Sequence, residues 1–388
     1  MFADEAYDAL VVGARCAGAA TAMLMARQGM RVLVIDRGGY GTDTISTHAL
    51  MRGGVSQLYR WGILRRIQEA DTPSVKTTTF HYADEAITVA IKPSNGVSAL
   101  YAPRRTLLDR TLVDAAVSAG AVVRHGHTLI NLTHRSDGRV CGAMVLDGDR
   151  NISQVQADVV VGADGSGSSV ARLAGAETLV QARHTTAVLF GYFPGIELPG
   201  YHWWFRPGIG AGAIPTNCAR HCVFVAIAPE RLRNCPSRHD RLALFTELLR
   251  QADPALGELV AGIEPDGPLR VFGGRCGFLR QAHGPGWALV GDAGYFKDPL
   301  TAHGITDALR DAELLADAVV DGVMAKYAAA RDDLSRPLFE VTDAIAGLNW
   351  GLEQIKVLHQ ALNESMKREV VHLLTLGDAH AAMREEVL

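Results

Sequence analysis

One stretch, DALVVGARCAGAATAMLMARQGMRVLVID at residues 8–36, constrains the fold of this chain more than any other. DALVVG is a short apolar run ending in glycine, AGAATAMLMARQG has helical periodicity closed by glycine, and RVLVID is apolar again. Short apolar runs of this kind suit buried strands, and a glycine just past a periodic segment ends a helix. The stretch therefore predicts one complete strand–helix–strand unit within an α/β domain. In such units glycines let the first turn approach a dinucleotide pyrophosphate at the helix N-terminus, and a carboxylate ending the second strand receives the adenosine ribose. Gly13 and Gly18 occupy the first and third glycine positions, and Asp36, followed by Arg37, ends the second strand. Arg15 stands where the second glycine would be. Either its guanidinium pairs with phosphate oxygens and offsets the lost backbone approach, or the loop is widened and the arginine solvated.

Bulk properties narrow the class. A chain of 388 residues accommodates two or three domains, and 48% hydrophobic with 21% charged residues is ordinary for a soluble protein. Net charge is −4, so no strong basic field points to nucleic acid or an anionic membrane. No apolar run spans a bilayer uninterrupted, and MFADEAYD at the start is acidic, unlike a secretory signal. Cysteines 16, 141, 218, 222, 235 and 276 form no CxxC pair or metal set, which implies reduced thiols, a cytoplasmic protein and no metal site.

Further along, PRRTLLDRTLVDAAVSAGA (103–121) reads as a helix and ADVVVGADG as a buried strand running into a turn. Residues 185–275 change character: TTAVLFGYF, YHWWFR and CVFVAIA are strand-like runs between Pro/Gly turns, followed by a helix around 241–252. GWALVGDAG returns to the first style, and the remainder is mostly helical. These shifts predict an α/β domain from 1–75, 102–184 and 276–325, an inserted mixed β-sheet domain from 76–101 and 185–275, and a helical extension over 326–388.

Taken together, the first loop, VVVGADGSGSSVARLAG (159–175) and WALVGDAGYFKDPLTAHGITDALRDAELLA (287–316) resemble the three-part signature of FAD-dependent, single-component aromatic hydroxylases related to p-hydroxybenzoate hydroxylase. The resemblance covers most of residues 7–320. It implies a glutathione-reductase-type FAD-binding domain and NAD(P)H as a transient reductant. It further implies oxygen transfer to an aromatic or natural-product small molecule through a flavin C4a-hydroperoxide. It assigns Asp292, in the Gly291-Asp292 pair, to the ribityl chain, and Asp164 to a turn beside the pyrophosphate. Arg105, rather than Arg104, reaches the cofactor. Pro299 precedes the loop in which Gly304 and Ile305 open a helix toward the flavin N1–C2=O edge, where a positive helix end favours the reduced anion.

Departures from that pattern keep other readings open. Ala302, His303, Gly304, Ile305 and Thr306 replace the hydroxylases' Gly-Gln-Gly-x-Asn. His303 either handles a proton at the flavin or fills space beneath it. His48, in STHAL, is a second catalytic candidate. In GYHWWFRPG alternation puts Tyr201, Trp203 and Phe205 on one face, either as a substrate surface or as sheet core. That strand and DPLTAHGI also resemble geranylgeranyl reductases, which saturate isoprenoid double bonds with reduced FAD. Flavin halogenases are a more distant likeness, since Lys76 and Lys92 lack a matching motif. The expected partners are a small molecule and O2, with a monomer and a homodimer both open.

Overall fold

The protein is described here from a computed structural model covering residues 5–233 and 238–386. Cys235 lies outside the described residues. The opening unit folds as its pattern demands: strand Glu5–Val12, helix Cys16–Arg27 and strand Val32–Asp36, with the two strands parallel. They belong to an eight-stranded sheet. Its main path runs His283–Gly284, Trp287–Leu289, Ile152–Gly162, Glu5–Val12, Val32–Asp36, Val122–His125. Strands Thr128–His134 and Val140–Leu146 extend it as an antiparallel branch off Ile152–Gly162. Helix Cys16–Arg27 is apolar on nearly every side because it is buried on nearly every side, between the sheet and helices Arg105–Ser118 and Gly304–Val320.

A second sheet of seven strands takes the order Arg270–Phe272, Ala187–Pro194, Arg220–Ile227, Ile209–Thr216, Tyr201–Arg206, Thr77–Tyr82, Glu85–Ala90. All its pairings are antiparallel except Tyr201–Arg206 with Thr77–Tyr82, so it is mixed, as expected. Its inner face carries Val188, Phe190, Tyr192, Trp203 and Phe224 into the core shared with the α/β part. Its outer face, with Leu189, Trp204 and Val225, packs under Phe245, Leu248 and Leu249 of helix Arg238–Ala252. A small third sheet joins Thr178–Gln181, Phe278–Arg280 and Tyr295–Phe296.

The C-terminal region forms helices Met324–Ala346 and Leu352–Glu386. The last helix runs along its predecessor, the short helix Arg52–Arg60 and the strand Tyr201–Arg206. It thus straps the two sheets together. Among the described residues no helix is long and apolar enough to cross a membrane.

Candidate functional site

Because strands Glu5–Val12, Val32–Asp36, Ile152–Gly162 and Trp287–Leu289 run parallel, their carboxyl ends share one edge of the sheet. In open α/β sheets that edge is where ligands sit. A cleft of about 630 Å³ opens there. Its walls include Gly13, Arg15, Asp36, Arg37, His48, Arg105, Asp164, Asp292, Pro299, Gly304 and Ile305, eleven residues brought together from five distant stretches.

Local geometry explains the turns. Gly13 has φ of +108°, a region that side chains avoid, and a Cβ there would lie 2.4 Å from the Ala163 carbonyl oxygen. A Cβ on Gly18 would fall 1.8 Å from the Gly13 oxygen. Gly18 therefore acts from behind the loop and does not line the cleft. The same holds for Gly291, whose missing side chain lets Ala17 and Ala308 approach. The Asp36 carboxylate accepts the Ala14 and Gly38 N–H groups, each at 2.6 Å, which ties the first turn to the second strand. Asp164 accepts the Ser168 hydroxyl at 2.5 Å and the Ser169 N–H at 2.6 Å, holding its own turn at the cleft wall.

Arg15 is organised by a residue that sequence reasoning missed. Buried Asp109 accepts from Arg15 Nη1 at 3.2 Å, from Arg105 through Nε and Nη2 at 3.1 Å each, and from the Cys16 thiol at 3.0 Å. The available signal was its place one helical turn after Arg105. Arg15 stays 38% exposed at the cleft wall, so its guanidinium is oriented without being consumed. Across the cleft, Asp292 faces the open volume while protein crowds its other sides. That crowding raises its pKa to about 6, against the pull of Lys297 and Arg105.

The stretch Lys297–Gly304 closes the site. Asp298 accepts the Thr186 N–H at 2.6 Å, the Thr186 hydroxyl at 2.8 Å and the Leu300 N–H at 3.0 Å, pinning the loop to the second sheet. Burial raises its pKa to about 6. Gly304 then starts the helix with its backbone open to the cleft. Lys297, also missed, lines the cleft while buried, with its ammonium on Asp307. Burial lowers its pKa to about 7.

Two expectations need correction. His303 does not face the cleft: its ring turns away, and Nε2 lies 2.6 Å from Oε2 of Glu369 on the last helix. Burial lowers its pKa while Glu369 opposes the shift. His303, Asp307 and Glu369 come close enough to suggest a metal cluster, but Lys297 and Arg310 already neutralise their carboxylates. Tyr201, Trp203 and Phe205 likewise form core instead of a substrate surface. Trp203 donates to the Thr78 hydroxyl at 3.0 Å, and Phe205 packs on His359 with ring centroids 4.3 Å apart. Phe190, Phe272 and Phe296 are the aromatic residues at the cleft. His48 does line it. Its Nε2 shares a hydrogen bond with the Tyr192 hydroxyl at 3.1 Å, and burial beside Arg104 and Arg105 lowers its pKa to about 3. It is therefore a neutral hydrogen-bonding group, not a proton store near neutral pH.

Residues 6–323 match the profile of the FAD binding domain family, and so span most of the chain. The chain belongs to that family. It is an FAD-dependent oxidoreductase, and the cradle fits the cofactor, since side chains at positions 13 and 18 would collide with the Ala163 and Gly13 carbonyls and break the tight first turn that brings backbone up to the cleft. The flavoprotein is 28% identical over 347 residues to menaquinone reductase from Mycolicibacterium smegmatis, covering 83% of this chain and 78% of that one. It is 26% identical over 357 residues to digeranylgeranylglycerophospholipid reductase from Methanothrix thermoacetophila, covering 85% and 84%. Among solved structures, Pseudomonas aeruginosa PqsL in complex with 2-aminobenzoylacetate superposes with a TM-score of 0.77 at 19% identity, covering 92% of the flavoprotein and all of PqsL. The flavin-dependent brominase Bmp2 gives 0.75 at 20% identity, covering 96% and 93%. These two share the fold.

Proposed function

We propose that this flavoprotein is a reductase that saturates a carbon–carbon double bond in a largely apolar small molecule, with NAD(P)H as its visiting reductant. One observation carries the reading. Saturating a C=C bond adds a hydride to one carbon and a proton to the other, and Lys297, a residue of the cleft wall whose buried ammonium is paired with Asp307, is the proton donor assigned in this reading. When bound, FAD supplies the hydride and electron-transfer chemistry. Gly13, Arg15, Asp36, Arg37, Arg105, Asp164 and Asp292 would hold it along the sheet edge, with Gly304 and Ile305 at its far end.

Val188, Phe190, Phe272 and Phe296 would bind the unsaturated body of the substrate and exclude water. Lys297 would give its proton to the substrate carbon, leaving a neutral amine beside Asp307 that regains a proton from solvent. A pKa near neutrality suits both steps. Names of the two curated relatives, both reductases, agree with this assignment.

A second reading, oxygen insertion, is favoured by the order of the three cofactor motifs, which resembles that of the hydroxylases. Anaerobic turnover separates the two. Holoprotein reduced in the absence of oxygen and mixed with polyunsaturated isoprenoids and prenylated quinones should yield a product two hydrogens heavier within its isoprenoid chain. Product formed only with oxygen uptake, and heavier by one oxygen atom, refutes the reductase and supports the hydroxylase.

A further inference from the structure

We propose that Arg104 and Arg270 form an oxyanion site at the outer end of the cleft, which receives a carboxylate or phosphate carried by the substrate. The proposal rests on the reading above, that an apolar small molecule lies beside a flavin in this cleft.

Sheet register lays the site out. Along strand Ala187–Pro194 alternation puts Val188, Phe190 and Tyr192 on one face. Strand Arg270–Phe272 pairs antiparallel with it, setting Phe272 opposite Val188 and Arg270 opposite Phe190. Val188, Phe190 and Phe272 line the cleft. The same face therefore passes from an apolar stripe to Arg270 and Tyr192 within a few ångströms.

At that end two cations crowd one carboxylate. Arg104 Nη2 and Arg270 Nη2 lie 3.2 and 2.8 Å from the same Asp43 oxygen. The Arg104 guanidinium carbon sits 3.5 Å above the Tyr192 ring centroid, and that of Arg270 5.9 Å from it. A structural tie between the 43–48 loop and the second sheet would need only one guanidinium. Two leave an excess positive charge, and the Arg104 Nε–H is buried with no acceptor among the described residues. Leaving such a donor unpaired is costly, and a planar oxyanion would satisfy it together with the Arg270 guanidinium, whose side chain is 34% exposed. Thr44 to His48, directly after Asp43, line the cleft while the two arginines lie just beyond its lining, so the pair stands where a ligand's far end would emerge.

An oxyanion could come from the substrate or from the phosphates of the nicotinamide donor. The substrate is the assignment made here, because both arginines cap the apolar stripe of the second sheet and the dinucleotide turns lie on the parallel sheet.

The test uses holoprotein and two matched probe pairs, 2-naphthoate with its methyl ester and farnesyl phosphate with farnesol, titrated against the flavin absorbance. In at least one pair the anion should bind about tenfold or more tighter than its neutral partner. Arg270→Gln should remove most of that difference, Arg270→Lys should restore part of it, and the neutral probe should bind all three proteins alike. Arg104→Gln serves as an independent variant, with the flavin-to-protein absorbance ratio reporting folding. Equal binding within both pairs, or no binding of any probe, overturns the proposal. So does an Arg270→Gln protein that keeps the probe difference but needs more NAD(P)H to bleach its flavin, since the oxyanion would then be the donor's phosphate. A protein that carries no flavin, or that NAD(P)H never bleaches, defeats the reductase reading instead.

Discussion

Replacing Glu369 with alanine tests whether the last helix is fastened to the site by buried charge. Its two carboxylate oxygens serve two groups at the start of helix Gly304–Val320: Oε1 lies 2.9 Å from Arg310 Nη1 and Oε2 lies 2.6 Å from His303 Nε2. None of the three side chains is more than 1% exposed. Its pKa is lowered to about 2 by those partners and Lys297, against the effect of burial, so it is charged at neutral pH. Removing one member of a buried pair costs about 3–5 kcal/mol, because the other charge stays buried. Arg310 keeps Asp307, Asp311 and the Ser335 hydroxyl, which places this loss near the lower end, at about 3 kcal/mol. An unfolding entropy of roughly 2.1 cal/mol/K per residue gives about 0.8 kcal/mol/K for a chain of this length, so Tm should fall by about 4 °C. Glu369→Gln keeps the hydrogen bonds without the charge and should fall between. Thermal melts read the shift, and limited trypsin digestion at exposed Lys367 and Arg368 reads the loosening of the helix. A Glu369→Ala protein melting within about 1 °C of the parent, with unchanged digestion, refutes the reasoning.

Three further outcomes follow from the site. Gly13→Ala puts a Cβ 2.4 Å from the Ala163 carbonyl oxygen at a positive φ, and should weaken FAD retention at least about tenfold; parental flavin content after gel filtration would falsify the cradle. Lys297→Met should lower kcat by about 10²–10⁴ while flavin stays bound, and in the parent activity should fall as pH rises through about 7; a pH profile shared by both proteins removes the proton-donor role. His48 is buried and His359 partly so, with pKa values lowered to about 3 and about 4, mainly by burial, while the unfolded chain takes up their protons near 6.5. Their contribution is thus complete above about pH 6.5 and is lost as pH falls toward 4 and then 3; Tm should be lower at pH 5 than at pH 7.5, and equal melts contradict it.

The cofactor edge was legible because its signals are local. Gly13 is required by its own positive φ and Gly18 by the Gly13 carbonyl five residues back, and Asp164 is held mainly by groups up to six residues on. Such features leave a short pattern in the chain, and so do the buried parallel strands with their continuous apolar runs. Lys297 left none: a lone lysine in a loop reads as solvated, and only the packing of Asp307 and Tyr295 around it makes it a buried ammonium.

Periodicity tells which residues share a face but not what covers that face. Tyr201, Trp203 and Phe205 do lie together, yet Trp350 and His359, nearly 150 residues later, turn them into core. His303 follows the flavin loop in sequence, yet Glu369, 66 residues on, decides its direction. By itself, then, the amino-acid sequence determined that this chain builds a dinucleotide cradle at the end of a parallel sheet, since backbone sterics at a few glycines and aspartates suffice. Which side chains look into the cleft was decided only by tertiary structure, because the desolvation and charge that orient them come from segments far along the chain.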